Sequence, residues 1–377
     1  MNKNILLISR TNKLHYFLLI FHLFALTNSS SLYADGLACA NTIEGNFIIF
    51  DNGKIIRQDH NHAQKYWVGS NFIVFVDYLS SLRVYHNDHA FEITNGISDI
   101  TMDDSMFVWN IAGALRAWRQ GQTYLINNYV SSFYQISEGT IAYIDDHERT
   151  LNVWYEGKTW VLDQNNMESP VTSLQLSSKT VAWQTPDYQF KLFIDGTIIS
   201  KSIYEEKFEY STGAGFCVLI NPSTQNFEKL TIDGIYDLEI SPAKWWASKY
   251  DKLIYLSWDN DLKIVTKDLT TTIANYKPDV FDFTVFGVYY NRLQQIFYFE
   301  SQNNQIVLDY IPSYYYIFNR TFIYRDNSEN VQVWDNGREY SVALSPSAII
   351  EPMTDVIVIT DAQKTSFWYK DRIYDFY

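Results

Sequence analysis

The chain has 377 residues, and its 29 Lys and Arg against 43 Asp and Glu give a formal net charge of −14. An acidic chain repels the phosphate backbone, so this charge argues against a nucleic-acid partner. Aromatic residues make up 17% of the chain and favour strands, whereas only 15 residues are Gly, so turns in an all-β chain must depend on Asn and Asp. Two cysteines are too few for a disulfide framework, and Cys217, inside an apolar run, is predicted to be a buried thiol.

The N-terminal segment differs from the rest of the chain. Three basic residues precede an apolar run at residues 16–26, which is short for a membrane span, and small residues follow up to Ala34. This order is typical of a secretory signal peptide. We therefore predict a signal over residues 1–34 and an exported domain, periplasmic or extracellular, over residues 35–377, with no membrane span after signal removal.

Other interpretations of this segment remain open. Small residues also allow cleavage after Ala38 or Ala40, Cys39 permits a lipoprotein interpretation, and the apolar run could be an uncleaved anchor. Removal of residues 1–34 takes away three basic and no acidic residues, so the balance becomes 26 against 43, or −17. The exported domain is therefore more acidic than the whole chain.

From residue 72 onward, a short apolar strand that ends on a polar residue recurs every 34 to 40 residues. The nine copies begin at residues 72, 107, 141, 181, 216, 253, 288, 322 and 356. A fixed period of this size indicates one supersecondary unit that is stacked many times.

Residues 137–163 show the unit best. Glu138-Gly139 turns into an apolar run at residues 140–144, an alternating run follows at 151–155, and Glu156-Gly157 leads into another. Alternation with a period of two indicates half-buried strands, and a Gly-containing turn between two such runs indicates a hairpin. Each unit is therefore predicted to hold four short strands.

The segment Leu-Ile-Tyr-Leu-Ser-Trp-Asp at residues 253–259, followed by Leu-Lys-Ile-Val at 262–265, resembles the second and third strands of a YWTD or TolB-like β-propeller blade. At the level of strand pattern this resemblance covers roughly residues 45–377. It implies a radial array of antiparallel sheets that leaves only short, protected edges. The predicted fold is all-β: a single β-propeller of about nine short four-stranded blades.

Eight or ten blades are the fallback, because the hairpin at residues 47–53 could complete a blade with the C-terminal strands. An open sandwich or a β-solenoid of hairpins is the alternative fold. We also expect ring closure to pair residues 41–51 with the last blade, since an unpaired edge strand promotes aggregation.

A polar residue closes most of the repeated strands. The set comprises Asp77, Asn110, Asp145, Asn221, Asp259, Asn291, Asp326 and Asp361, with Asp187 as a displaced ninth member. In a propeller these residues fall on one face near the channel mouth, where carboxylates could hold a cation or a basic partner. Repetition in every blade instead favours a structural role, in which each residue caps its own turn.

Five of the seven histidines lie between residues 60 and 147, namely His60, His62, His86, His89 and His147. Imidazole with carboxylate would suit a transition metal, but the spacing gives no third shared ligand. We predict solvated loop histidines, no metal and no cofactor.

Aromatic residues recur in the third strand of the units: Tyr85, Trp118, Trp154, Phe193, Trp334 and Trp368. Recurrence at one position is what packing between sheets requires. Trp245 and Trp246 differ, because they break the repeat within an irregular segment. We predict that they lie on a loop and bind a ligand, the alternative being that one of them fills a gap between blades.

The sequence contains no nucleophile elbow, phosphate loop, zinc motif or serine-triad spacing, so nothing in it supports an enzyme. The predicted function is a secreted, monomeric β-propeller that acts as a binding or interaction scaffold for a glycan or protein partner. The alternative is a propeller-type hydrolase or lyase, which needs two of the channel-mouth carboxylates about 5–10 Å apart.

Overall fold

The computed structural model describes residues 36–97, 100–129, 131, 133–164, 173–185, 189–203, 205, 208–267 and 269–376. Every regular element among these residues is a β-strand. No helix in the described ranges is long and apolar enough to cross a membrane. The signal peptide predicted over residues 1–34 lies outside them.

The strands form ten antiparallel sheets, which we number as blades 1 to 10 in chain order. Blade 1 has β1 (Leu37–Asn41), β2 (Phe47–Asp51) and β3 (Lys54–Asp59); blade 2 has β4 (Lys65–Val68), β5 (Ile73–Val76), β6 (Ser81–His86) and β7 (His89–Asn95); blade 3 has β8 (Thr101–Met102), β9 (Met106–Ile111), β10 (Ala114–Arg119) and β11 (Gln122–Asn127); blade 4 has β12 (Tyr134–Ser137), β13 (Thr140–Asp145), β14 (Thr150–Tyr155) and β15 (Lys158–Gln164); blade 5 has β16 (Gln175–Ser177), β17 (Thr180–Gln184), β18 (Gln189–Ile194) and β19 (Thr197–Ser202).

The second half of the chain continues the series. Blade 6 has β20 (Tyr210–Gly213), β21 (Phe216–Ile220), β22 (Phe227–Thr231) and β23 (Gly234–Glu239); blade 7 has β24 (Trp245–Lys249), β25 (Lys252–Leu256), β26 (Leu262–Thr266) and β27 (Leu269–Ala274); blade 8 has β28 (Phe281–Phe283), β29 (Val288–Arg292), β30 (Gln295–Glu300) and β31 (Asn303–Leu308); blade 9 has β32 (Tyr315–Phe318), β33 (Thr321–Arg325), β34 (Val331–Asp335) and β35 (Arg338–Ala343); blade 10 has β36 (Ile349–Met353), β37 (Val356–Thr360), β38 (Thr365–Tyr369) and β39 (Arg372–Phe376).

Strands follow one another across each sheet in chain order. The first strands of neighbouring blades contact one another: β12 contacts β16, β16 contacts β20, and β20 contacts β24. The first strand is therefore the inner strand of its blade, and the fourth is the outer one. Blade 1 has three described strands, and its β1 corresponds to a second strand, because the register shift between β2 and β3 matches the one between β6 and β7.

Ten hydrophobic clusters lie between the sheets, one at each junction of neighbouring blades. One of them joins blade 10 to blade 1, so the ring is closed. At this junction the rings of Phe50 and Phe367 stack with centroids 5.0 Å apart. Closure therefore rests on side-chain packing between two separate sheets. The expectation that residues 41–51 pair with the last blade, or that the hairpin at 47–53 completes it, was wrong.

The number of blades is ten, the upper fallback, and not the nine counted from the repeats. The missed copy is β1, whose Leu-Ala-Cys-Ala-Asn sequence lacks the large apolar residues of the other copies. No described inner strand covers β1; Tyr66 of β4 packs against the cluster around Cys39, and Met353 of β36 against the one around Ala38. Small side chains fit where residues of two neighbouring blades pack closely against the same strand.

Burial of β1 bears on the alternatives for the N-terminal segment. Ala38, Cys39 and Ala40 are all buried in β1. Cleavage after Ala38 or Ala40 would divide this strand, and a lipid on Cys39 would need a thiol that the core encloses. Cys217 is likewise buried and free, as predicted, and burial raises the pKa of both thiols.

The ring has two unlike faces. Because adjacent strands are antiparallel, the turns from inner to second strand and from third to outer strand share one face, here called the turn face. The connections from second to third strand and from blade to blade share the other, here called the loop face. On the turn face two-residue turns dominate, such as Asn52-Gly53, where both residues have positive φ. Inner strands begin at the loop face.

Candidate ligand-binding site at the channel mouth

The inner strands present alternate residues to the channel. The intervening residues, such as Tyr134 and Trp246, pack into the clusters between blades. Six blades each have one exposed inner-strand residue at an equivalent register: Thr101, Gln135, Gln175, Asp282, Tyr316 and Glu351. Lys65, Trp245, Lys249 and Ile349 are exposed in inner strands at other registers. The channel wall is therefore mainly polar.

Trp245 and Trp246 begin the inner strand β24, so their assignment to a loop was wrong. Trp245 is in register with Leu256 and Trp246 with Tyr255. Inner strands are short and exposed on one side, which hides the apolar alternation that identifies the other strands. The connection that precedes them ends at Lys244.

Successive residues of a strand point to opposite sides, and the two indoles differ accordingly. Trp246 is half-buried and packs on Phe227, with ring centroids 5.2 Å apart, between blades 6 and 7. Trp245 is 39% exposed and meets Phe281 of blade 8 edge to face at 5.0 Å. Trp246 therefore fits the interpretation that one tryptophan fills a gap between blades, and Trp245 fits the prediction that one is exposed to solvent.

A cavity of ≈ 450 Å³ opens beside the two indoles at the loop-face end of the channel. Blades 5, 6 and 7 supply its lining: Ser173, Gln175, Phe208, Glu209, Tyr210, Ser211, Lys244, Trp245 and Trp246. The side chains of Gln175 and Glu209 are exposed. Aromatic faces and groups that can form hydrogen bonds thus line one small volume.

The cavity wall is held by contacts within and between blades. The Tyr210 hydroxyl donates a hydrogen bond to the Ser173 carbonyl oxygen, and burial raises the pKa of Tyr210. Phe208 packs edge to face on Phe190, with ring centroids 5.4 Å apart. Lys244 Nζ donates to Asn260 Oδ1 at 2.7 Å, which fixes this cation at the rim.

A second group of contacts crosses the channel near the turn face. Tyr250 of blade 7 donates through its hydroxyl to Asp104 Oδ2 of blade 3 at 3.0 Å, and through its amide to Glu138 Oε1 of blade 4 at 2.8 Å. Glu138 Oε2 also accepts from Ser177 Oγ of blade 5 at 2.6 Å. Burial, followed by the charge of Asp104, raises the pKa of Tyr250. The two contacts of Tyr250 link blades that are not neighbours and break the regularity of the ring.

Six of the eight polar strand-end residues form hydrogen bonds with the backbone of an adjacent loop: Asp77, Asp145, Asn221, Asn291, Asp326 and Asp361. Asp77 Oδ1, for example, accepts from the amides of Leu79 and Ser81 at 3.0 and 2.9 Å. Asn110 and Asp259 are exposed, and Ser257 caps the loop of blade 7 in place of Asp259. Asp187 lies outside the described residues. This geometry is that of turn capping.

The histidines are dispersed among separate loops and strand ends. His62 Nε2 lies 2.8 Å from the Thr42 carbonyl oxygen, and His86 Nδ1 lies 2.9 Å from that of Asn71. His147 stacks on Tyr129 with centroids 4.5 Å apart. His89 contacts the carbonyl of Asn87, and His60 is exposed. The described residues contain no group of three or more side chains that could hold a metal ion.

The third-strand aromatic residues all lie in clusters between blades: Tyr85, Trp118, Trp154, Phe193, Trp334 and Trp368. Their position in the fold is the packing position that the sequence indicated. They do not line the cavity at the channel mouth.

Radial four-stranded antiparallel sheets that close on themselves define a β-propeller. The chain belongs to the 10-bladed beta propeller domain family, whose model matches residues 31–374. No curated protein matches it.

Similar solved structures include the computationally designed Ika8 protein, at 13% identity and TM-score 0.33, over 74% of this chain and 94% of that one. Hsv2 of Kluyveromyces lactis matches at 10% identity and TM-score 0.31, over 65% and 96%. PorZ, a surface component of the type-IX secretion system of Porphyromonas gingivalis, matches at 8% identity and TM-score 0.28, over 92% of this chain and 59% of that one. Values this low carry no inference about function.

Proposed function

We propose that this protein is an exported binding scaffold that holds an uncharged sugar segment in the channel-mouth cavity. The observation that carries the proposal is the exposed Trp245 at the wall of a cavity that also contains Phe208, Gln175 and Glu209. Ligand pockets combine apolar and aromatic walls with a few polar groups that fix orientation. A sugar ring offers an apolar face to the indole and hydroxyl groups to the polar side chains.

Size and charge narrow the ligand class. A volume of ≈ 450 Å³ falls within the range of small-molecule pockets, roughly 300–1,000 Å³, and suits one or two sugar rings. The acidic charge of residues 35–377, with Glu209 in the wall itself, disfavours sulfated or uronic acid units. The proposed ligand is therefore an uncharged glycan end.

The test is a glycan array probed with residues 35–377, followed by titration of the best neutral ligand by tryptophan fluorescence. Trp245→Ala is expected to weaken binding about tenfold or more, because an exposed indole that becomes buried in a complex is a typical hot spot. Tyr236→Ala, at an exposed aromatic residue of the outer strand β23, is the matched control and leaves binding unchanged.

The proposal fails if folded Trp245→Ala binds like the unmodified protein, or if only anionic glycans bind. Trp246→Ala serves as a second comparison. Because Trp246 packs between blades 6 and 7, this change is expected to lower the unfolding temperature, an effect that circular dichroism separates from loss of binding.

Export is part of the same proposal and rests on the basic, apolar and small-residue order of residues 1–34. Cell fractionation with a C-terminal tag tests it. The mature protein is expected in the periplasm or medium with its N-terminus at Asp35, and a cytoplasmic, full-length product would contradict it.

A further inference from the structure

The loop face carries large apolar side chains at the tips of its loops. Ile240, Leu293 and Leu344 are 87%, 85% and 77% exposed. Ile43, Leu79 and Trp258 are also exposed there. All six lie in connections on the loop face, between the strands whose bounds are given above.

The turn face is different. Its two-residue turns consist mainly of Asn, Asp, Glu, Ser and Gly. Within the described turns of this kind, one large apolar residue is exposed, namely Ile232 at 53%. Both faces have the same ring behind them, so the fold does not require the contrast. Apolar residues scattered at random would appear on both faces.

The exposed loop residues also follow one another around the ring. Ile240 and Trp258 belong to blade 7 and its entry, Leu293 to blade 8, Tyr314 to the entry of blade 9 and Leu344 to that of blade 10. Ile43 and Leu79 continue the series on blades 1 and 2. In the described loops of blades 3 to 6, Tyr129 alone is comparable, and it stacks on His147. We call the series from Ile240 through Leu344 to Leu79 the apolar arc.

Charge around the apolar arc has one dominant sign. Its connections on the loop face lie between residues 240 and 364 and between residues 42 and 80, and they exclude the strands and the turns of the other face. These connections contain nine Asp and Glu and three Lys, which gives a net charge of −6. Asp77, Asp326 and Asp361 accept hydrogen bonds from backbone amides of their loops, which hold these carboxylates in place. An acidic surface repels a second copy of itself and repels anionic lipid.

We propose that the apolar arc is the docking surface for a partner protein whose contact surface is apolar at its centre and basic around it. Apolar loop tips supply the buried contacts, and the acidic loops between them select and steer a basic partner. The arc spans blades 7 to 10, 1 and 2, whereas the cavity belongs to blades 5 to 7. The two sites meet at the connection that holds Ile240 and Lys244, but Leu293 lies in blade 8 and Leu344 at the entry of blade 10, outside the cavity lining.

The test uses two synthetic amphipathic peptides with the same apolar face, one with Lys and one with Glu on its polar face, and fluorescence anisotropy with residues 35–377. The Lys peptide is expected to bind more tightly and to lose affinity with added salt. The double change Leu293→Asp with Leu344→Asp is expected to weaken its binding about tenfold or more, because the apolar contacts are lost. Ile232→Asp on the turn face, the matched control, leaves it unchanged.

Three results overturn the proposal. The first is equal binding of the Glu peptide, and the second is unchanged binding by the folded double variant. The third is a different occupant of the arc. If the protein co-sediments with phosphatidylcholine vesicles and the double change abolishes this, lipid covers the surface. If the protein self-associates in analytical ultracentrifugation and the double change abolishes this, a second copy covers it.

Discussion

Two carboxylates of blade 9 have pKa values that depart from the ordinary Asp value in opposite directions. Burial, followed by the charge of Asp355, raises the pKa of Asp335, although Arg320 opposes the change. Hydrogen bonds from Gln332 and then Asn330 lower the pKa of Asp326. Local environment, and not the strand-end position alone, thus decides what each carboxylate does.

These shifts predict opposite pH dependences. Asp335 binds its proton more tightly in the folded state, so its ionised form costs stability above its raised pKa. Asp335→Asn is therefore expected to raise the unfolding temperature at pH 7, and the gain disappears as pH falls below 3.8, the ordinary value. Asp326 favours its ionised form, so Asp326→Asn lowers the unfolding temperature at pH 7, and the difference is lost as pH falls through its lowered pKa. Thermal unfolding across pH checks both, and changes of the same sign would contradict the assignment.

At the scale of single residues, the sequence indicated Trp245 as a candidate but did not predict which of the two indoles is exposed and which is packed. A departure from the repeat singled out the Trp pair, whereas the division of roles between exposed Trp245 and packed Trp246 depends on which side of β24 each residue occupies. That orientation follows from register with β25, which the sequence of a short inner strand does not reveal.

At the level of strands, the contacts that the sequence repeat does not predict are made mainly by the inner strands and their turns. Glu138 and Tyr250 are 112 residues apart, yet a hydrogen bond joins them across the channel. Sequence period predicts what is common to all blades, so it identified the second and third strands well. It contains no information on contacts between blades that are not neighbours.

Removing the charge of Glu138 tests this cross-channel contact. Its carboxylate accepts hydrogen bonds from Ser177, Ser178 and Tyr250, so Glu138→Gln is expected to lower the free energy of unfolding by about 1–3 kcal/mol. Urea unfolding measures the change. Glu156→Gln is the control, because Glu156 also precedes a Gly and has positive φ but lies exposed in a turn. Equal effects at the two positions would show that the contact adds nothing.

The whole molecule depends on the junction of blades 10 and 1. The repeat predicted a propeller, and the family match confirms that class, but closure was predicted by strand pairing. Phe50 of β2 and Phe367 of β38 instead stack between the faces of two separate sheets. The small residues of β1 hid the tenth copy, and with it the true junction.

Closure can be compared with an internal junction. Phe367→Ala is expected to lower the free energy of unfolding by about 3–5 kcal/mol, as is Phe107→Ala between blades 2 and 3, because each removes a fully buried ring from one junction. Deletion of residues 365–377 should destabilise the whole chain, measured by thermal unfolding. A truncated chain that melts like the full-length protein would place closure elsewhere.

The described inner strands differ in sequence from blade to blade, and the Tyr66 hydroxyl of blade 2 donates a hydrogen bond to Glu351 Oε2 of blade 10 at 3.5 Å. A channel wall of this kind has no rotational symmetry. A molecule that enters it meets a different set of side chains at each described inner strand and not repeated copies of one set. Binding in the channel is therefore expected to occur with one-to-one stoichiometry and in a single orientation.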